Sequence, residues 1–525
     1  LDDLKKLPTW RILSDARRHQ YWRAALVGLA AGAAALFFQQ SLVIAEDTRT
    51  AVLDYLHLNA STWGWLLTCA LAAGIGACVA WVTTRLAPEA AGSGIPHVKG
   101  VLMHVGDMPW ARILPVKYFG GLLCIGAGFS LGREGPTIQI GAAVGKLVGD
   151  VLRIPAKAKP RLMACGAGAG LAAAFHAPLA GFIFTVEELQ REFSTMTYGM
   201  ALIAAVIADI VATSFFGDAH SFEAAGFPAP SLVSFPVYIA IGLVGALFGA
   251  AFNKALLSVH TYVRGAVNLA AWKRGALAGF AVGLAVWWLP EITGGGHQSV
   301  ERMLHGEFAG GGSAGFLLLL FAGKFALTIL CYASGVPGGI FAPMLVMGAS
   351  LGLISGIGAS VLWPSIAPIP ESFAAIGMAA FFAAVVRAPL TGIVLVLEMT
   401  GDYNQLLPLL TASMIAYVFS ESMGVAPLYE SLLAIDLRRA QPDIPAHREP
   451  VLLEFVVQED SEMDGRRICD IPLPERCLFV TVARQGNDIL PAGGTELRRG
   501  DHVTAVLSGA DATESVRRLL ALSKV

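Results

Sequence analysis

Charge is scarce in this chain, and it is scarce unevenly. Lys, Arg, Asp and Glu make up 14% of the 525 residues, whereas a soluble domain carries about 25%. Residues 443 to 525 alone hold 24 of these charges, 14 acidic and 10 basic, so the first 442 residues are only about 12% charged. A cluster of basic residues is also missing. With a formal net charge of −2 and no such patch, nucleic acid is excluded as a partner, because phosphate binding requires grouped Lys and Arg. The seven cysteines (69, 78, 124, 165, 331, 469, 477) include no close pair and no Cys/His cluster. They read as small packing residues, with no metal and no cofactor expected. No signal peptide is apparent either: the first 23 residues mix charges, and Leu1 suggests a processed or truncated start.

Long apolar runs take the place of charge. Hydrophobic residues make up 55% of the chain, and the mean hydropathy is +0.62. Ala24 to Ala45, Thr62 to Thr84 and Ser231 to Asn253 carry no Asp, Glu, Lys or Arg, and each is long enough to cross a hydrocarbon layer of about 30 Å as a helix. The sequence therefore predicts an all-α, multi-pass cell-membrane protein whose partner is the lipid bilayer. Lys5, Lys6, Arg11, Arg17, Arg18 and Arg23 before the first run, and Arg438 and Arg439 after the last, place both termini in the cytoplasm by the positive-inside rule.

These runs are not uniform spans. Phe325 to Pro370 is free of charge but interrupted by Gly335, Pro337, Gly338, Gly339, Pro343 and Pro364. Helices broken at membrane depth are tolerated only where the freed backbone is buried in protein or lines a cavity, so they point to a permeation site. The chain also repeats itself. Phe175-His-Ala-Pro-Leu-Ala-Gly181, running on to Glu187, returns as Val386-Arg-Ala-Pro-Leu-Thr-Gly392, running on to Glu398. Gly132-Arg-Glu-Gly-Pro136 likewise matches Gly339-Ile-Phe-Ala-Pro343. Two halves, about 24–216 and 231–435, with corresponding interrupted segments suggest a transporter that holds its substrate at the repeat interface.

Three Gly/Pro-punctuated motifs carry the chemistry. They are Gly92-Ser93-Gly94-Ile95-Pro96, Gly132-Arg133-Glu134-Gly135-Pro136 and Gly338-Gly339-Ile340-Phe341-Ala342-Pro343. Each is expected to present free backbone N–H groups at a helix N-terminus, where the helix dipole favours an anion. Convergence of these ends would hold an anion without a full cationic charge, so the anion can also leave. Lys117 reads as a buried structural ion, and Gly166-Ala-Gly-Ala-Gly170 as a close helix contact. Gly311-Gly-Ser-Ala-Gly315 fits a hydrolase elbow in letters only, since no strand precedes it; the chain is not expected to be an enzyme.

With these motifs, residues 20 to 435 resemble the CLC family of chloride channels and chloride/proton exchangers. Pro427-Leu-Tyr429 and the two Ala-Pro-Leu helices add to the likeness. The resemblance implies two inverted repeats, a homodimer with one pathway per subunit, and exchange of chloride for protons. By position it implies that Ser93 and Tyr429 offer hydroxyls and Ile340 and Phe341 offer N–H groups to the central chloride. It makes Glu134 the external gating glutamate and Glu188 the internal proton glutamate. Taken singly, each residue has a plainer role: Glu134 pairing with Arg133, Glu188 with Arg191, Ser93 as an N-cap, Tyr429 as an interfacial aromatic. His97 and His176 depart from the family's usual Glu and Asn. A passive channel of the same fold is the alternative, distinguished by an uncharged residue at position 188. Chloride is favoured over fluoride or nitrate by Ser93.

The tail reads as a small α+β cytoplasmic domain over 451–525, joined by a proline-rich linker at 436–450. Val451 to Val457, Leu478 to Ala483 and Asp501 to Leu507 are strand-like, Gly486 to Asp488 and Ala492 to Gly494 turn-like, and Asp511 to Leu522 helical. It is similar to the regulator-of-potassium-conductance C-terminal (TrkA-C-like) domains and has no CBS-type repeat. A membrane-bound ligand sensor acting through this domain is the reading from another class.

Overall fold

The computed structural model describes residues 8–523, except for 61, 191–194, 218–221, 223–225, 228–231, 266–268, 309, 365–368, 441–450, 460, 475–476, 485–486 and 508–511. The linker prolines and Arg191 therefore lie outside the described residues. Two compact units are present, Leu1–Leu433 and Ala434–Val525.

The first unit is helical throughout. Its first half comprises α1 (Pro8–Asn59), α2 (Gly64–Leu86), α3 (Ile95–Leu102), α4 (Trp110–Gly126), α5 (Glu134–Val151), α6 (Lys159–Phe175), α7 (Pro178–Phe184) and α8 (Thr195–Phe216). The second half follows as α9 (Phe235–Gly265), α10 (Ala271–Trp288), α11 (His297–Leu304), α12 (Ala314–Ser334), α13 (Phe341–Leu362), α14 (Ser372–Val386), α15 (Pro389–Thr400) and α16 (Leu406–Ser422). Helix α17 (Leu428–Ala440) begins in this unit. It continues through 436–440, which the sequence suggested as the start of the linker. Among the described residues, six helices are long and apolar enough to cross a membrane.

The halves correspond element by element. Helices α6 and α14 both end on a left-handed residue, His176 (φ 52°) and Arg387 (φ 70°), and a proline-started helix follows each. Beyond α7 a π-helical turn, Thr185–Gln190, carries Glu187 and Glu188. The halves then exchange caps. Glu187 accepts from the N–H groups of Leu390 (3.1 Å) and Thr391 (2.7 Å) at the start of α15. In return, Glu398 accepts from those of Leu179 (3.0 Å) and Ala180 (2.7 Å) at the start of α7. A carboxylate satisfies orphan donors at the positive end of each helix.

Small residues let these helices approach. A Cβ on Gly279 of α10 would lie 2.6 Å from the Ala72 carbonyl carbon of α2, and one on Gly166 of α6 would lie 2.9 Å from that of Gly141 of α5. The Gly166–Gly170 run is thus a close helix contact. All seven cysteines are free, and Cys69, Cys124, Cys165 and Cys331 are buried.

The second unit holds an antiparallel four-stranded sheet, order β1-β4-β2-β3, with β1 Val451–Val456, β2 Cys477–Arg484, β3 Asn487–Ile489 and β4 His502–Leu507. Asn487 and Asp488, expected in a turn, pair instead with Arg484 and Ala483. Strand residues Phe455, Phe479, Val482, Val503 and Ala505 join Leu519 of α18 (Ala512–Leu522) in one core, with a register shift in β2 between Phe479 and Thr481. Buried Asp501 accepts from Arg484 Nε (2.8 Å) and Nη2 (2.7 Å). Burial alone would raise this carboxyl, but Arg484 and the Arg498 N–H hold it below its ordinary value.

Candidate functional site

The three motifs meet because their glycines leave no room between them. Gly92 and Gly94 lie in the left-handed region (φ 61° and 80°), which turns the chain into α3. The Gly92 N–H donates to Val336 O (3.1 Å), and the Gly338 N–H donates to Gly92 O (2.9 Å). Gly132 and Gly339 exchange two backbone bonds of 2.6 and 2.8 Å. The third motif thus threads between the other two. A Cβ on Gly135 would lie 2.8 Å from both Gly339 Cα and Ser93 O. Pro96, Pro136 and Pro343 fall in first turns, where a missing N–H costs nothing.

This stitching leaves donors over. Ile340 and Phe341 open α13, so their N–H groups have no intrahelical acceptor, and among the described residues no backbone bond engages them. Both residues are fully buried, and the Phe341 ring packs on Phe175 and Phe382. The hydroxyl of Ser93 accepts from the Ile95 N–H at 3.1 Å. It therefore acts as a local cap and still has its own proton to donate. Tyr429 on α17 is wholly buried, and its hydroxyl has no partner among the described residues. A buried polar group left unpaired is costly, which marks a place for a polar ligand. It also removes the interfacial-belt reading of Tyr429.

Glu134 is 2% exposed, and its Oε2 accepts from the Ala342 N–H at 3.3 Å. The carboxylate thus occupies the start of α13, beside the free donors. No ion pair joins it to Arg133 among the described residues. A cavity of about 710 Å³ reaches Glu134 and Arg133 and is lined also by Glu46, Arg49, His176 and Arg302. His176 Nδ1 lies 3.7 Å from Asp209, and His97 contacts Asp107 O (3.1 Å) and Gln139 (3.2 Å). Glu188 is 1% exposed, and Lys99 of α3 bonds to it at 2.7 Å. Tyr429 lies within electrostatic reach of both Glu188 and Glu134.

Lys117 of α4, read from the sequence as a buried structural ion, is fully buried and donates to Ala90 O (3.1 Å) and Gly92 O (2.6 Å), fixing the turn before α3. Other residues here escaped the sequence reading. Lys324 of α12, equally buried, donates to Thr293 O (3.0 Å) and Gly294 O (2.7 Å) before α11. Gly294-Gly295-Gly296 repeats the backbone of the first motif, with φ of 57° and 81° at its outer glycines. A lysine within each apolar helix was the available signal for Lys324; for Lys99, it was a cation directly after the first motif.

The model of the voltage gated chloride channel family matches residues 75–421, and that of the TrkA-C domain matches residues 452–521. The H(+)/Cl(-) exchange transporter ClcA of Vibrio cholerae serotype O1 is 39% identical over 433 residues, covering 80% of this chain and 91% of the relative. A solved slow cyanobacterial Cl-/H+ antiporter is 35% identical, with a TM-score of 0.76 over 80% of this chain and 98% of that one. A eukaryotic CLC transporter shares the fold at 20% identity, with a TM-score of 0.69 over 98% of this chain and 90% of that one.

Proposed function

The chain belongs to the voltage-gated chloride channel (CLC) family, and from that premise we propose that it exchanges chloride for protons across a membrane. One observation carries the coupling: the buried Glu134 carboxylate sits on the Ala342 N–H beside the unused donors of Ile340, Phe341 and Tyr429. As an anion, Glu134 competes with chloride for the positive end of α13. Protonated, it releases that end. One side chain then alternates between blocking the path and carrying a proton. Glu188 supplies the second, inner proton site, and its carboxylate is what favours the exchanger over the channel. Gly92, Gly94, Gly132, Gly135, Gly338 and Gly339 shape the site, Ser93 and Tyr429 donate to the anion, and Arg133 faces the cavity. Homodimer assembly with one pathway per subunit, cytoplasmic termini and a regulatory role for the TrkA-C domain belong to the same reading.

Liposomes loaded with chloride should drive protons uphill as chloride leaves, recorded by chloride and pH electrodes together. Rapid chloride loss at constant pH would replace this reading with the channel.

Removing a hydrogen bond to a charged group costs about 1.5 to 3 kcal/mol. Tyr429→Ala and Ser93→Ala should therefore each weaken chloride binding roughly 10- to 150-fold by calorimetry. Unchanged affinity in both would remove the two hydroxyls from the site.

A further inference from the structure

A carboxylate that carries a proton and a lysine locked to it make a contradictory pair. Lys99 Nζ lies 2.7 Å from Glu188 Oε1, and their side chains are 4% and 1% exposed. Protonating Glu188 would remove the charge opposite a buried ammonium, and an uncompensated buried cation is strongly unfavourable. The structure supplies a second anion. Glu430 Oε1 lies 3.6 Å from the same Nζ, and its side chain is 33% exposed, so it has access to water. Glu430 directly follows Tyr429 in α17.

We propose that Glu188, Lys99 and Glu430 form a charge-compensating triad in which the Lys99 ammonium passes from Glu188 to Glu430 when Glu188 takes up a proton. This rests on Glu188 being the inner proton site. The step balances. The Glu188 carboxylate gains one proton from cytoplasmic water, Lys99 keeps its charge, and its hydrogen bond moves to the Glu430 carboxylate. The triad changes from −1 to 0, whereas the Glu188 and Lys99 pair alone would change from 0 to +1. Lys99 and Glu430 are thus positioning residues that make proton uptake at a buried site affordable. Around Glu188, α3 brings Lys99 and carries His97, while α17 brings Tyr429, within electrostatic reach of Glu188, and Glu430, which reaches Lys99. Helix α6, which packs on the π-helical turn of Glu188, carries Lys159, Arg161 and Cys165, and α7 carries no ionisable side chain. Glu187, next to it in the chain, is engaged by the start of α15.

The test is the pH at which coupled exchange in proteoliposomes is half-maximal, measured with the full chain. Glu430→Gln leaves Lys99 without a second anion, so the midpoint should fall by about one pH unit, a tenfold greater need for protons. Lys99→Met removes the cation that holds Glu188 ionised, so the midpoint should rise by about as much. Lys99→Arg should restore a profile close to that of the unaltered protein. In the double variant Lys99→Met/Glu430→Gln, the effect of Glu430→Gln should vanish. Shifts of the same sign in both single variants, or a midpoint unmoved by Glu430→Gln, would overturn the triad. If Lys99→Met does not fold, Glu430→Gln and Lys99→Arg decide the matter alone. An unaltered protein that moves no protons would instead overturn the exchanger reading.

Discussion

Glu134→Gln is expected to abolish proton movement while chloride continues to cross. The amide keeps the length and shape of the glutamate, but it cannot bind and release a proton over any working pH. It is also a weaker occupant of the α13 terminus, because a hydrogen bond to an ionised acceptor is roughly twice as strong as a neutral one. Chloride should therefore meet less competition for the N–H of Ala342, which Glu134 now holds at 3.3 Å. Chloride efflux from liposomes should persist at or above the unaltered rate, and the accompanying pH change should disappear. A variant that still moved protons against their gradient would strip Glu134 of its role.

The second large effect concerns stability. Lys117 and Lys324 are fully buried, and each holds two backbone carbonyls before a short helix. Lys117→Met and Lys324→Met preserve length and apolar packing but remove two hydrogen bonds from a charged donor in each case, although Gly92 O keeps the Gly338 N–H. Each should lower stability by roughly 3 to 5 kcal/mol, read as thermal unfolding in detergent. The two should then differ in function. Lys117 fixes Gly92, which bonds to Gly338 in the anion site, so chloride affinity should fall in Lys117→Met. Lys324 fixes Gly294, outside that ring of bonds, so Lys324→Met should bind chloride nearly as well as the parent. Equal melting of both variants and the parent would show that these lysines hold nothing.

What the sequence made legible was spelled in glycine and proline. Gly92 to Pro96, Gly132 to Pro136 and Gly338 to Pro343 announce helix starts because glycine takes up backbone angles and close approaches that other residues avoid, and proline fixes φ at a value suited to a first helical turn. The repeat from Phe175 to Glu187 and from Val386 to Glu398 was visible for the same reason. Gly294-Gly295-Gly296 was not, because the second half keeps the φ angles of the first motif while losing its Ser and Pro. Side-chain partners were the least legible. Nothing in local periodicity tells that Lys99 meets Glu188, 89 residues on, or that Glu187 and Glu398 cap each other's repeat. Those contacts are products of tertiary packing. In the tail, Asn487 and Asp488 misled because turn-forming residues also begin the short returning strand of a tight hairpin.

The paired bonds between Gly132 and Gly339 set an order of events during biosynthesis. The two glycines are 207 positions apart, and a ribosome adding about 5 to 20 residues per second needs roughly 10 to 40 s to make that stretch. Throughout that interval the first half is in the membrane with the Gly92 N–H and both backbone groups of Gly132 lacking their later partners, while Lys117 already holds the Gly92 carbonyl. An unmatched amide in hydrocarbon is unfavourable by several kcal/mol, so the early half must shelter these groups with water or with the translocation machinery. The anion site is therefore absent from the young chain, and it comes into being only when the late half docks.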